Sequence, residues 1–220
     1  MVFWFSRFVK QFVPGRKIDL GEASNFPWLA KQERKRNVEF DEVVRARRSI
    51  RAFSNREVPE GLLRGILQCA LQAPSSMNGQ PWSFVAVRNP ETKRRIAEVK
   101  NRYCPADKAA FRADFLEAAP VLIVTCVDRS RSHDRGMETA VLATAHLLLA
   151  AADRGLGAVY LSAYRSDAPE LAEDLCRLLR IPAGVDPVTL VPLGFPDEVP
   201  ETKSVRPLEE VLFHETYGNR

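Results

Sequence analysis

Seven consecutive residues, VLIVTCV at 121–127, carry no charge and hardly any polarity. A strand packed on one face alternates apolar with polar residues, whereas a strand covered on both faces reads as an unbroken apolar run. Pro120 precedes the run and Asp128 follows it, so the segment is too short and too sharply bounded for a buried helix. It needs helices above and below, and that requirement restricts the chain to a layered fold. The rest of the pattern agrees. Helical spacing covers residues 39–47, 60–70, 90–100, 106–118, 137–154 and 167–179, and further strands are expected at 83–87, 158–164 and 188–194. This alternation predicts an α/β or α+β architecture with one sheet between helices. The helix at 137–154 is apolar nearly all round, which predicts burial.

Residues 1–38 look different. They read as an N-terminal extension, aromatic at the start (Phe3, Trp4, Phe5, Phe8, Phe12) and then polar, with a short amphipathic helix expected near the beginning. The body is expected over 39–220. Residues 1–51 hold twelve Lys or Arg against six Asp or Glu, and the remainder twenty against twenty-two, so the net charge of +4 is local to the N-terminal quarter. No nucleic-acid fold signature accompanies it, and nucleic acid is not an expected partner. No apolar stretch is long enough to cross a bilayer, and the charges near the start follow the apolar residues, the reverse of a secretory signal. Cys69, Cys104, Cys126 and Cys176 lie far apart with no CxxC pair, as expected of buried thiols in a reducing compartment. The expected location is cytoplasmic, with no integral membrane association.

Two segments carry chemistry. In RRSIRAF (47–53), an extended chain puts Arg47, Ser49 and Arg51 on one side and Ile50 on the other. Two guanidinium forks around a hydroxyl suit a phosphate dianion, because each fork donates two parallel charge-assisted bonds. Arg48 faces the other way, either toward the carbonyls of the preceding helix or toward the ligand from its far side. In APSSMNGQPWSFV (73–85), Pro and Gly make a turn-rich loop that gathers Ser75, Ser76, Asn78 and Gln80. Their amides and hydroxyls can meet a heterocycle edge that alternates C=O with N–H, or can cap neighbouring backbone. His146, among apolar residues mid-helix, is expected to be a satisfied core histidine.

Taken as a pair, RRSIR followed by a helix and then SSMNGQPW resembles the nitroreductase family of FMN-dependent oxidoreductases. The helix-and-turn METAVLATAHLLLAAADRGLG (137–157) and the closing GFPDEVPETKSVRPLEEV (194–211) match the same family in the same order, so the resemblance covers about residues 39–215. It implies an α+β fold: a mixed β-sheet flanked by helices, in an intertwined homodimer with FMN at the subunit interface. By the same resemblance Arg47, Arg48, Ser49 and Arg51 would hold the phosphate and ribityl end. Ser75, Ser76 and Asn78, with Gln80 nearby, would approach the isoalloxazine from the second subunit. Ser162 and Ala163 would lie beside the ring system, and Lys203 and Arg206 would return to the phosphate. Two departures stand out. Val205 occupies the place where relatives commonly carry an arginine, and Ser162–Ala163 replaces a Glu-Gly or Leu-Gly pair.

The implied activity is hydride transfer from NADH or NADPH through FMN to an electron-poor acceptor such as a nitroaromatic or a quinone, with ping-pong kinetics. Because the cofactor carries the chemistry, no catalytic side chain and no metal are expected. Alternative readings keep the flavin and change the reaction, to reductive dehalogenation, flavin breakdown or ring dehydrogenation. A more distant one is a non-catalytic nucleotide-binding protein.

Overall fold

The structure, a computed structural model, describes residues 39–108 and 112–220. The expected N-terminal extension and its amphipathic helix lie outside the described residues. Helix α1 (Phe40–Ala46) carries Asp41 and Glu42 in its first turn and Arg45 in its last, matching the helix dipole. Helix α2 (Glu60–Ala70) follows and buries Leu63, Ile66 and Ala70. After the 73–81 turn come strand β1 (Trp82–Val87) and helix α3 (Pro90–Arg102). Asn89 caps α3 by accepting a 2.9 Å bond from Thr92 N–H, with Pro90 at the first helical position. A single turn, α4 (Phe115–Ala118), leads into strand β2 (Val121–Asp128). Next are helix α5 (Gly136–Asp153), the two-residue strands β3 (Gly157–Ala158) and β4 (Leu161–Ser162), helix α6 (Glu170–Leu179) and strand β5 (Val185–Gly194).

The sheet order is β1-β2-β5-β3, with β4 also on β5, and every ladder is antiparallel. A parallel bridge between Ser49 and Ala158 joins the edge of the sheet. The apolar run is now accounted for. Val121 and Ile123 point into one cluster with Leu63 and Ile66 of α2 and Leu147 of α5. Leu122, Val124 and Cys126 point into the other, with Ile96 of α3 and Leu171 and Leu175 of α6. Period-two alternation against two covering layers leaves no position in the run open to solvent.

Four expectations on element boundaries need correction. The helix expected over 106–118 is instead a short 3-10 turn at Ala106–Lys108 and then α4. Asn101 binds the chain just ahead of α4: its Oδ1 accepts from Ala113 N–H at 2.7 Å and its Nδ2 donates to Asp114 at 2.6 Å. The strand expected over 158–164 is broken into β3 and β4. Helix α6 begins at Glu170 because Asp167, expected as its cap, is held by Arg165 Nε at 2.9 Å. Strand β5 starts at Val185 rather than 188, although it contains Pro187. The register slips there, from Thr125 opposite Thr189 to Cys126 opposite Pro187, so a residue with no N–H to donate falls at a bulge.

Helix α5 packs its buried side on the sheet, where Thr144 joins Thr125 and Thr189 in a fully buried hydroxyl chain at 3.3 and 2.9 Å. Its other side is open in the single chain. Met137, Val141 and Leu142 are exposed, contrary to the burial expected from composition. Among the described residues no helix is long and apolar enough to cross a membrane.

Candidate cofactor site

The 47–53 segment leaves α1 in an extended conformation and is held on both sides. Ile50 N–H donates to Ala158 O at 3.1 Å, and Ser54 N–H donates to Phe195 O at 2.9 Å. Ile50 and Phe53 are buried while Ser49 and Arg51 are exposed, the alternation expected of an extended chain. Arg48 takes the helix-capping option: its Nη1 donates to Arg47 O at 2.9 Å and also to Arg45 O. Arg47 and Arg48 line a cavity of about 230 Å³ together with Ile50, Leu148, Gly157 and Glu198. This cavity sits at the C-terminal end of α5, where Ala152 and Gly155 also reach it.

The second expected cluster folds into a tight turn. Asn78 N–H donates to Ser75 O, Gly79 N–H to Ser76 O, and Gln80 N–H to the Ser75 hydroxyl at 3.1 Å. The Gln80 side-chain amide donates to Asn78 Oδ1 at 3.2 Å. Met77, Asn78 and Gln80 all have positive φ, at 50°, 54° and 45°. Three non-glycine residues in that region within four positions store strain of the kind that collects at ligand sites. Gly79 lets the turn press on a neighbour, since a Cβ there would fall 2.1 Å from the Arg131 carbonyl oxygen. The turn therefore rests on the 129–135 segment that leads into the N-terminal end of α5.

The two clusters are thus at opposite ends of one helix. Helix α5 has 18 residues and is about 27 Å long. Within a single chain the structure does not bring the arginine forks and the amide turn together.

The remaining expected residues divide. Ser162 is half-buried; its hydroxyl donates to Tyr164 O at 2.6 Å, and its carbonyl accepts from Lys100 Nζ at 2.7 Å. Burial pushes the Lys100 ammonium below its ordinary pKa, and neighbouring Arg165 lowers it further. Ala163 is fully buried, and its N–H is given to Val188 O at 2.9 Å. Lys203 is exposed on the C-terminal segment. Arg206, expected at the phosphate, instead reaches back to Glu210, donating to Oε2 at 3.2 Å and to the carbonyl at 3.3 Å. His146 is half-buried, with Nδ1 3.4 Å from Cys69 O, as expected of a core histidine. The four cysteines are free, and burial pushes the Cys126 thiol up to about 12.

Two contributors escaped sequence reading. Glu198 binds the backbone of the arginine segment from 146 residues away, and Arg56 stacks its guanidinium 3.9 Å over the Phe195 ring. Neither has a local signal, because both depend on the end of β5 passing beside residues 51–54.

Comparison with known proteins gives a consistent set. The family model described as "Nitroreductase family" matches residues 44–195. A protein of Methanothermobacter thermautotrophicus, provisionally named as an NADH dehydrogenase/NAD(P)H nitroreductase, is 37% identical over 166 residues, covering 74% of this chain and 81% of the relative. The FMN reductase [NAD(P)H] of Bacillus subtilis is 30% identical over 204 residues, covering 82% and 76%. A crystal structure from Parabacteroides distasonis, with the same provisional name as the first relative, superposes with a TM-score of 0.71 at 25% identity, covering 82% of this chain and all of that one.

Proposed function

The chain belongs to the nitroreductase family, and from that premise we propose that it is an FMN-dependent NAD(P)H oxidoreductase that works as a homodimer. FMN, when bound, would supply two-electron hydride chemistry between NADH or NADPH and an electron-poor acceptor such as a nitroaromatic or a quinone. The donor set fits the cofactor. Arg47, Ser49 and Arg51 can grip a phosphate dianion through charge-assisted bonds, with Lys203 as a further cation on the C-terminal segment. The strained turn carrying Ser75, Ser76, Asn78 and Gln80 offers amides and hydroxyls to a heterocycle edge.

One observation carries the reading: these two donor sets lie at opposite ends of the 18-residue α5. A single chain has half a site at each end. Two copies packed through antiparallel α5 helices would bring the amide turn of each copy to the arginine segment of the other, completing two sites at once. Exposed Met137, Val141 and Leu142 on α5, and exposed Val205 and Leu208 on the C-terminal segment, supply the apolar surface for that contact. Ser162, tethered through its carbonyl to Lys100, would stand beside the ring system.

Purified protein should be yellow, with about one FMN per chain, and anaerobic NADH or NADPH should bleach it. Double-reciprocal plots against a quinone should then be parallel, as expected for ping-pong kinetics. Colourless protein that FMN cannot reconstitute would overturn the proposal. Yellow protein that neither nicotinamide bleaches would shift it to one of the other flavin reactions.

A further inference from the structure

The backbone that carries the arginine forks is fastened by one carboxylate. Glu198 Oε1 accepts from both Arg51 N–H and Ala52 N–H, the second at 3.1 Å. Successive N–H groups of a straight strand point to opposite sides, so a single oxygen receiving both means the chain turns at 51–52 into a small two-amide concavity. The segment that presents Glu198 is itself laid along residues 52–54. Asp197 N–H donates to Ala52 O at 3.0 Å, and Phe53 and Pro196 form an antiparallel bridge. On the other flank the segment has Ile50 bonded to Ala158. Glu198 also lines the same cavity as Arg47 and Arg48, so an acid stands beside two of the arginines of the 47–51 segment.

A carboxylate beside a phosphate site is electrostatically unfavourable unless it does something else there. Its hydrogen bonds supply the reason. They occupy the backbone donors of the concavity and hold the peptide between Ser49 and Phe53 in one conformation, which leaves an incoming phosphate to the side chains alone. We infer that Glu198 is a positioning residue for the FMN phosphate, locking the 49–52 backbone so that Ser49 and Arg51 face the anion together with Arg47. This rests on the reading of residues 47–51 as the phosphate grip. Glu198 touches no part of the cofactor in this role and acts only through the peptide it holds.

Riboflavin, which has the ring and ribityl chain but no phosphate, separates this role from a general loss of structure. Apo protein would be titrated with FMN and with riboflavin by flavin fluorescence. Glu198→Ala should weaken FMN roughly tenfold and riboflavin less than about twofold, while Glu198→Gln, which keeps an acceptor oxygen, should stay within about threefold of wild type for FMN. Should Glu198→Ala fail to fold, Glu198→Asp keeps the charge but withdraws the oxygen and should show the same phosphate-selective loss. Equal weakening of both flavins, or an unchanged FMN affinity, would overturn the inference. Tighter FMN binding by Glu198→Ala would overturn it too, and would make Glu198 a competitor for the phosphate. A wild-type protein that takes up neither flavin would instead remove the functional reading on which this rests.

Discussion

Ile50 and Gly157 meet with no room between them: a Cβ on Gly157 would lie 2.6 Å from Ile50 Cγ2. This contact seats the arginine segment on the edge of the sheet, next to the Ile50–Ala158 hydrogen bond. Gly157→Ala should therefore push residues 49–52 outward. Overpacking of this kind costs about 1–3 kcal/mol. Urea unfolding should report that loss, and FMN affinity should fall with it; a variant with wild-type stability and affinity would show that the edge yields freely.

Arg47 and Arg51 should each contribute a charge-assisted bond to the phosphate. Replacing either by Ala should lower FMN affinity by about 1.5–3 kcal/mol, and Ser49→Ala by about 1 kcal/mol. Fluorescence titration of the apo protein checks this. Superimposable curves for both arginine variants and wild type would contradict the clamp.

The exposed stripe on α5 gives a joint prediction for assembly and cofactor. Val141→Glu would place an unpaired carboxylate in the proposed interface. Such a group costs about 3 kcal/mol or more, enough to weaken a dimer on the order of a hundredfold. Light scattering should show monomer at concentrations where wild type is a dimer, and the monomer should be colourless because each site needs both copies. A yellow monomer would mean that one chain completes its own site.

Asp174 ties α6 to the end of α3. The Tyr103 hydroxyl, donating at 2.8 Å, and then Arg177 and Arg102 hold its carboxyl below the usual carboxylate range. Because the folded value lies below the unfolded one, near pH 4, this carboxylate contributes stability above that pH and loses it as the pH falls through the folded value. The difference in unfolding free energy between wild type and Asp174→Asn should accordingly be full at neutral pH and shrink below about pH 4. Urea titrations at a series of pH values measure it, and a difference independent of pH would dismiss the linkage.

Much of this was legible in the chain. The run at 121–127 called for cover on both faces, because an apolar residue gains by burial whichever way it points, and β2 has helices on both sides. The extended reading of residues 47–53 followed from local alternation, and Ile50 is buried while Ser49 and Arg51 are exposed. Local rules failed where a side chain took a partner that periodicity does not show: Asn101 binds Ala113 and Asp114 just before α4, and Arg165, two residues away, takes Asp167 from the α6 cap.

The sequence by itself determined most of the long strands and helices and which residue types could grip an anion or a heterocycle edge, because periodicity and side-chain chemistry are properties of neighbours along the chain. Only the tertiary structure decided where those groups stand. It set Arg47 and Asn78 at opposite ends of α5, committed the Ala163 N–H to Val188, turned Arg206 onto Glu210, and brought Glu198 to the amides of Arg51 and Ala52. Apart from the Arg206–Glu210 pair, which is only four residues apart, those outcomes depend on partners dozens of residues away or on the pairing of a backbone group, and neither is written in a residue's immediate surroundings.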